Sequence, residues 1–172
     1  MRMKRKTYVL LLVVVMLVTM VFPAIAAPSP TSQTKEAHDA VAISTAGVTT
    51  APVSETALKE YKELVTANTN GFKATYDIPN TAKVAAVLDI SFSGNVGSGV
   101  TIPIKVTTAK SGDYVIVMHR KASGIWDVVG RGFIGADLTI HATFTSFSPV
   151  MVLAVDAADA ANSGIRAPKT GE

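Results

Sequence analysis

The sequence feature that most constrains this fold is a series of short segments in which apolar and polar residues alternate. Residues 84–92, 100–106 and 138–144 each place an apolar side chain at every second position. A period of two is typical of β-strands that bury one face, because successive side chains of a strand point to opposite sides. Gly, Asn, Asp and Ser separate the segments, and the intervals are too short for helical crossovers, so we predict antiparallel pairing.

Four further segments complete a predicted set of about seven strands. Residues 114–119 and 150–155 are continuous apolar runs, which predicts strands covered on both faces. Residues 72–78 and 125–129 show shorter apolar patterns. Pro103 lacks a backbone N–H, so its strand should lie at a sheet edge or turn the proline away from its neighbour. The predicted fold class is all-β, an antiparallel sandwich of the immunoglobulin-like type.

Inside this sandwich, the apolar residues of the segment 138–144 should face the core. They are Leu138, Ile140, Ala142 and Phe144. The polar residues between them should face solvent, because neighbouring side chains of a strand point to opposite faces.

One short helix is predicted over residues 54–68, on the N-terminal side of the strands. Leu58, Tyr61, Leu64 and Val65 recur at helical spacing. Ser54 precedes them and is a favourable N-cap residue. The chain contains no cysteine, so a disulfide framework and a thiolate metal site are both excluded and the core depends on burial alone.

The basic character of the sequence resides in its first 26 residues. The formal net charge of +3 comes from 16 basic and 13 acidic residues. Four of the basic residues and none of the acidic ones lie in the first 26, which leaves 12 basic against 13 acidic residues in the rest. The rest therefore lacks the basic excess that a nucleic-acid-binding domain needs, and we expect no nucleic-acid partner.

Residues 1–26 have the order of a secretory signal peptide. Positive charges precede an apolar run, and a proline and an Ala-Ile-Ala triplet follow it. We expect signal peptidase to cleave between Ala26 and Ala27, which predicts an extracellular location. The alternative is an uncleaved membrane anchor, but the run of about 15 residues is shorter than the roughly 20 that a spanning helix needs.

Composition divides the rest of the chain into three parts. Residues 27–53 are rich in Ala, Thr, Ser, Pro and Val, which predicts a flexible spacer, with a short strand near 40–44 left open. Residues 54–156 hold the helix and the strands and form the predicted domain. Residues 157–172 are predicted to be a second linker that carries the C-terminal motif.

This motif, Ala167-Pro168-Lys169-Thr170-Gly171, resembles the LPxTG cell-wall sorting motif of sortase substrates, with alanine in place of leucine. The resemblance implies that a sortase cysteine attacks the bond between Thr170 and Gly171, and that Thr170 becomes joined to peptidoglycan. In this family an apolar segment and a basic tail follow the motif. We therefore expect the reading frame to continue in that way beyond Glu172.

Residues 87–155 resemble the small β module that precedes such motifs in surface proteins of gut Firmicutes. The stretches that carry this resemblance are 88–91, 100–106, 115–119, 126–129 and 142–150. The resemblance implies a stalk role at a Gram-positive cell surface and supplies no catalytic motif.

The histidines give no metal-site prediction. His119 and His141 fall on separate strands that could meet in a sheet, and His38 stands apart from both. No third ligand is spaced to complete a site, so we predict ordinary surface or partly buried histidines.

Two aspartates and a glycine-rich stretch are further candidates for a site. Asp127 and Asp137 could form a carboxylate pair of the kind that hydrolyses glycosides, but turn aspartates more often satisfy backbone donors. The glycines at 94, 97 and 99 lie between two strands, without the helix that a phosphate-binding loop requires. No cofactor and no enzyme activity are predicted.

The position of Trp126, the single tryptophan, distinguishes between two classes of function. Val128 shares its strand face, which favours a core position over an exposed platform for carbohydrate. We therefore expect a non-catalytic, wall-anchored structural or interaction module, whose partners are sortase, peptidoglycan and an extracellular protein or glycan. The alternatives are a secreted carbohydrate- or ligand-binding module and, more remotely, a subunit of a larger surface enzyme or pilus.

Overall fold

The computed structural model describes residues 30–167, with side chains from Ser32 onward. Helices and strands follow in the order α1 (Pro30–Asp39), β1 (Val41–Ile43), β2 (Val48–Pro52), α2 (Glu55–Thr66), a 3₁₀ turn (Thr69–Gly71), α3 (Phe72–Thr75), β3 (Lys83–Phe92), β4 (Val100–Val106), β5 (Tyr114–Arg120), β6 (Trp126–Phe133), β7 (Thr139–Phe144), β8 (Pro149–Val155) and α4 (Ala157–Asn162).

The eight described strands form two antiparallel sheets. A three-stranded sheet has the order β1-β4-β7, and a five-stranded sheet has the order β2-β3-β8-β5-β6. Every pairing is antiparallel. The prediction of a mainly β, antiparallel, sandwich-like fold is confirmed at this level.

An inner core fills the space between the two sheets. It contains Ile102, Ile104 and Val106 of β4, together with the inward residues of β3, β5, β7 and β8. Ile140, Ala142 and Phe144 are buried in it, as the alternation predicted. Leu138 precedes the strand, with a positive φ of 59°, and packs half-buried against the same core.

An outer core lies on the other face of the five-stranded sheet, beneath the helices. Leu58, Tyr61 and Val65 of α2 meet Ile116 and Leu153 of the sheet there. The central strands β5 and β8 are therefore apolar on both faces, which confirms the prediction for residues 114–119 and 150–155. The molecule thus has three layers, helices on a five-stranded sheet on a three-stranded sheet.

The segment predicted as a flexible spacer differs from that prediction from Pro30 onward. It forms α1, β1 and β2, of which β1 coincides with the short strand left open near 40–44. Ala37 and Val53 enter the outer core, while Ala40 and Val41 enter the inner one. Small apolar residues supply this burial, which is why composition alone indicated a linker.

The segment 72–78 is not the strand that its alternation indicated. Asn68, Asn70 and Gly71 adopt left-handed backbone angles that reverse the chain before α3. The Lys73 backbone N–H then donates to Asn68 Oδ1 at 2.8 Å, and Lys73 Nζ donates to the Asn80 carbonyl at 2.6 Å. These local hydrogen bonds satisfy polar groups of the segment, so it does not need a neighbouring strand as a hydrogen-bond partner.

The residues predicted as a second linker begin with ordered structure. Ala160 of α4 is fully buried in the outer core, and Ile165 packs against it. The Ile165 N–H donates to the Ala160 carbonyl at 3.0 Å and closes the end of this helix. Ile165 is the last described residue that packs against the core, and Arg166 and Ala167 after it are exposed.

Pro103 lies on β4, which is the central strand of its sheet rather than an edge. The pairing with β1 covers only residues from Ile104 to Val106, whereas the pairing with β7 places Pro103 opposite His141. At Pro103 itself β4 therefore has one strand neighbour, and the missing N–H is tolerated because β1 is short.

Helix α2 agrees closely with the prediction. The Ser54 hydroxyl accepts a bond from the Ala57 N–H at 3.2 Å, with the extended backbone expected of an N-cap. Leu58, Tyr61 and Val65 face the sheet, and Leu64 is partly buried beside them.

Candidate functional site

Trp126 is a core residue, as predicted, and is only 6% exposed. Its ring meets Tyr61 of α2 edge-on at 5.0 Å between centroids and Phe72 of α3 at 6.4 Å. Arg120 extends from the neighbouring strand over Tyr61, and its guanidinium donates to the Tyr61 hydroxyl at 3.0 Å. The indole therefore joins helices to sheet and presents no face on which a sugar could stack.

His119 is buried, at 2% exposure. It lies near the end of β5, with its ring edge-on to Phe144 at 5.9 Å. Its Nε2 lies 2.7 Å from Ser148 Oγ, and this hydroxyl also contacts the Arg120 carbonyl oxygen. This is the one Ser–His contact among the described side chains.

The Ser148 hydroxyl contacts two partners at once. A carbonyl oxygen only accepts, so the Ser148 proton is the one shared with the Arg120 carbonyl. The Ser148 oxygen can then accept from His119 Nε2 when that nitrogen carries the ring proton. The cluster fastens the β7–β8 connection to the end of β5.

Burial lowers the pKa of His119 below its usual value. The Asp127 carboxylate opposes this effect and raises the pKa, while the Lys121 ammonium adds to the lowering. Because the net pKa is lowered, the imidazole is neutral at pH 7, which agrees with its role as a neutral hydrogen-bond donor.

The other two histidines lie elsewhere. His141 is exposed on β7, in the other sheet from His119, so these two do not meet as the sequence had left open. His38 contacts Asp39 Oδ1 at 2.8 Å and Thr50 Oγ1 at 3.0 Å. Within residues 30–167, no group of three or more His, Asp or Glu side chains could hold a metal ion.

Asp127 and Asp137 both serve local structure. Asp127 forms an ion pair with Lys121 at 2.6 Å across the base of the β5–β6 hairpin. Asp137 Oδ1 accepts the Thr139 N–H at 3.4 Å at the start of β7. Asp127 lies at the start of β6 and Asp137 beyond its other end, so they do not form a pair for glycoside chemistry.

Two charges in the protein interior, one half-buried and one buried, were missed by sequence reasoning. Asp89 lies on β3 between Leu88 and Ile90 of the inner core, so its side chain lies on the helix-facing side of the sheet, where burial raises its pKa. Lys73 of α3 is 7% exposed, and burial lowers its pKa. For Asp89, the only signal in the sequence was a carboxylate inside an apolar strand. The burial of Lys73 depends on the fold.

Two open grooves flank α1. One has a volume of about 480 Å³ and is bounded by α1 and by Thr107 and Thr108, and the other has a volume of about 290 Å³ and lies between α1 and α2. Both are lined mainly by Lys, Glu, Ser and Thr side chains.

Four of the connections between strands lie at the same end of the sandwich, because of the directions in which the strands run. β3 ends opposite the start of β2, β5 ends opposite the starts of β6 and β8, and β7 ends opposite the start of β4. We call this the loop end, and it consists of residues 44–47, 93–99, 121–125 and 145–148. β8 runs away from it, so α4 and the exposed residues Arg166 and Ala167 lie at the opposite end.

The expected processing sites fall at the margins of the described chain. Ala167, the first residue of the sorting-like motif, is exposed. Pro168, Lys169, Thr170 and Gly171, like the cleavage site at Ala26 and Ala27, lie outside the described residues.

Comparison with protein-family models, curated proteins and solved structures finds no match for this chain. No helix within residues 30–167 is long and apolar enough to cross a membrane.

Proposed function

We propose that this protein is exported and joined to the cell wall through Thr170, and that its three-layer domain serves there as a non-catalytic structural or interaction module. One observation carries the proposal. The last described contact with the core is made by Ile165 after α4, and the next two residues, Arg166 and Ala167, are exposed, with Ala167 the first residue of the sorting-like motif. A transpeptidase needs an accessible, extended peptide, and the exposure of Arg166 and Ala167 supports such access at the start of the motif.

The leader supports the export step. Its basic, apolar and small-residue regions stand in the order of a signal peptide, and the ordered fold begins only a few residues after the proposed cut between Ala26 and Ala27. Removal of the leader would therefore take away none of the described packing.

The chemistry of the interior supports a non-catalytic role. The one Ser–His contact among the described side chains fastens the β7–β8 connection to β5, and Asp127 is paired with Lys121. The carbohydrate-binding alternative rested on an exposed Trp126, and a 6% exposed indole gives it no support. We also propose that the sandwich is of the immunoglobulin-like type, on the basis of its two antiparallel sheets.

Cell fractionation with a matched pair of variants tests the proposal. In a Gram-positive host that contains a sortase, the full reading frame should yield protein that peptidoglycan digestion releases. Thr170→Ala should move the protein to the membrane or the medium. Thr66→Ala, which changes an exposed threonine of α2, should leave it in the wall. An unchanged distribution for Thr170→Ala, or a purely cytosolic protein, would refute the proposal.

A further inference from the structure

The last described strand, β8, lies in the middle of the five-stranded sheet. It pairs with β3 along one edge and with β5 along the other. Six residue pairs join it to β3 and six join it to β5. Together these pairs cover Pro149 to Val155, which is the whole length of β8. The strand nearest to the proposed anchor is therefore held along both of its edges.

Both faces of β8 are buried as well as both edges. Val150 and Val152 enter the inner core, whereas Met151 and Leu153 enter the outer core, and all four are fully buried. Because a protein interior is close-packed, a strand cannot move along its own axis without disturbing the side chains on either side of it. Sliding β8 would therefore disrupt two cores together with two rows of hydrogen bonds.

Any force between the proposed anchor at Thr170 and the domain must enter the sheet through β8. The chain reaches β8 from the C-terminal side through Ile165 and α4, both of which contact the outer core. β8 runs away from the loop end. A pull on the C-terminal segment therefore acts along the axis of β8 when the opposing force holds the loop end.

Such a pull loads the strands in shear. β5 ends at the loop end and β8 ends at the opposite end, since the two are antiparallel neighbours. Forces on these two ends draw the strands past each other in opposite directions. The hydrogen bonds of an antiparallel pair lie perpendicular to the strands, so all of them share this load and must break together. The same geometry holds between β3 and β8.

The N-terminal elements are attached more weakly. β1 has three residues, lies at the edge of the small sheet and pairs with β4 alone among the described strands. Its first residue, Val41, is opposite Val106, at the end of the sandwich from which β8 also leaves. A force between the N-terminal and C-terminal sides therefore acts across the strands and separates the pairs of β1 one after another.

We propose that β8 and its paired residues on β3 and β5 form a mechanical clamp, and that the domain bears tension between its loop end and its C-terminal segment. The proposal deepens the proposed function and rests on it in one respect, because only anchoring through Thr170 makes the C-terminal segment the point at which the cell holds the domain. The directional resistance is a property of the fold and does not depend on anchoring.

Single-molecule force spectroscopy of the chain from Ala27 onward, which contains every described element, tests the clamp. One handle is attached after Glu172 and the other to an introduced cysteine, which is unique because the chain has none of its own. Ser123→Cys and Ser98→Cys, both exposed at the loop end, give the shear geometry, and Ala27→Cys gives the peeling geometry. The rupture compared is the first that frees more chain than α4 and the residues after it.

At the same loading rate, this rupture should need a force about twofold or more higher from either loop-end handle than from Ala27→Cys, since forced unfolding reports the barrier along the direction of pulling. Equal forces, or a lower force from the loop end, would overturn the proposal. This comparison requires no change to the core, so it stands whether or not a core variant folds.

Two core variants assign the resistance to β8. Leu153→Ala should lower the rupture force from the loop-end handles and leave the force from Ala27→Cys unchanged, whereas Val41→Ala on β1 should do the reverse. An equal reduction in both geometries for each variant would show that β8 is not the clamp. Loss of wall anchoring in cells with the directional resistance intact would reject the proposed function alone.

Discussion

At the scale of single residues, the fold depends on a few large side chains and a few buried charges. Phe144 fills the inner core near the loop end, where Phe147 and His119 pack against its ring. Asp89 and Lys73 are charges that burial makes costly, and His119 is a neutral donor kept from solvent. Each of these assignments has a measurable consequence for stability.

Phe144→Ala should lower the free energy of unfolding by about 3–5 kcal/mol, because the side chain is fully buried and leaves a cavity that the sheets cannot close. Phe147→Ala is the matched control and should cost clearly less, since Phe147 is only half-buried. Urea unfolding at pH 7 measures both. Equal costs for the two variants would show that β7 has a different register.

Asp89→Asn should raise stability at neutral pH. The folded-state pKa of Asp89 is raised by burial, so its carboxylate disfavours folding once the pH exceeds that pKa, and the amide carries no charge. At a pH below the Asp89 pKa of both the folded and the unfolded chain, the carboxyl is protonated. The stability advantage of Asp89→Asn over the wild type should then vanish. Chemical unfolding at low and neutral pH tests this, with the exposed Glu36→Gln as control.

His119 should make the fold less stable in mild acid. Burial lowers its folded-state pKa, so as the pH falls through about 6.5 the unfolded chain binds a proton first, and stability declines until the folded-state pKa is reached. His119→Gln should reduce the loss measured between pH 7.5 and pH 5.5. His141→Gln, at an exposed position of β7, should keep the wild-type loss, and equal slopes in both variants would contradict the assignment.

At the scale of elements, the two sheets meet most closely where β6 passes β7. A Cβ at Gly130 would lie 2.7 Å from the His141 carbonyl oxygen and 3.1 Å from Ala142, both on β7. Near this position the β5–β6 pairing shifts its register, which is typical of a β-bulge. Glycine is therefore required for the closure of this side of the sandwich.

Gly130→Ala should destabilise the protein by about 1–3 kcal/mol, because a methyl group there would push the two backbones apart. Gly132→Ala lies two residues further along β6, and its methyl group would meet only Ile140 Cδ1 at an ordinary 3.5 Å. Thermal unfolding of the two variants should separate them clearly. If they lost equal stability, β6 and β7 would not be in close contact at Gly130.

Sequence patterns predicted the elements unevenly, for physical reasons. Alternation, continuous apolar runs and one shorter apolar pattern together identified six of the eight described strands, because burial of side chains on one or both faces leaves a direct trace in the sequence. Alternation was misleading at 72–78, where left-handed asparagines and local hydrogen bonds decide the conformation. It missed β2 and α1, whose small apolar and polar residues resemble a linker.

At the scale of the whole molecule, the third layer was the part that the sequence could not predict. The apolar runs of β5 and β8 required cover on both faces, but nothing in their pattern indicated that helices would provide it. The same limit applies to the candidate surfaces. The gathering of four connections at the loop end follows from strand order, which depends on pairings distant in sequence.

The proposed account of the whole chain is that an ordered domain, with its loop end remote from the C-terminal motif, is held at the cell surface through one bond. Mass spectrometry of the C-terminal peptide from wall-released protein tests this most directly. The account predicts a peptide that ends at Thr170 with a peptidoglycan fragment joined to its carboxyl group. A peptide that continues unmodified through Gly171 and Glu172 would contradict it.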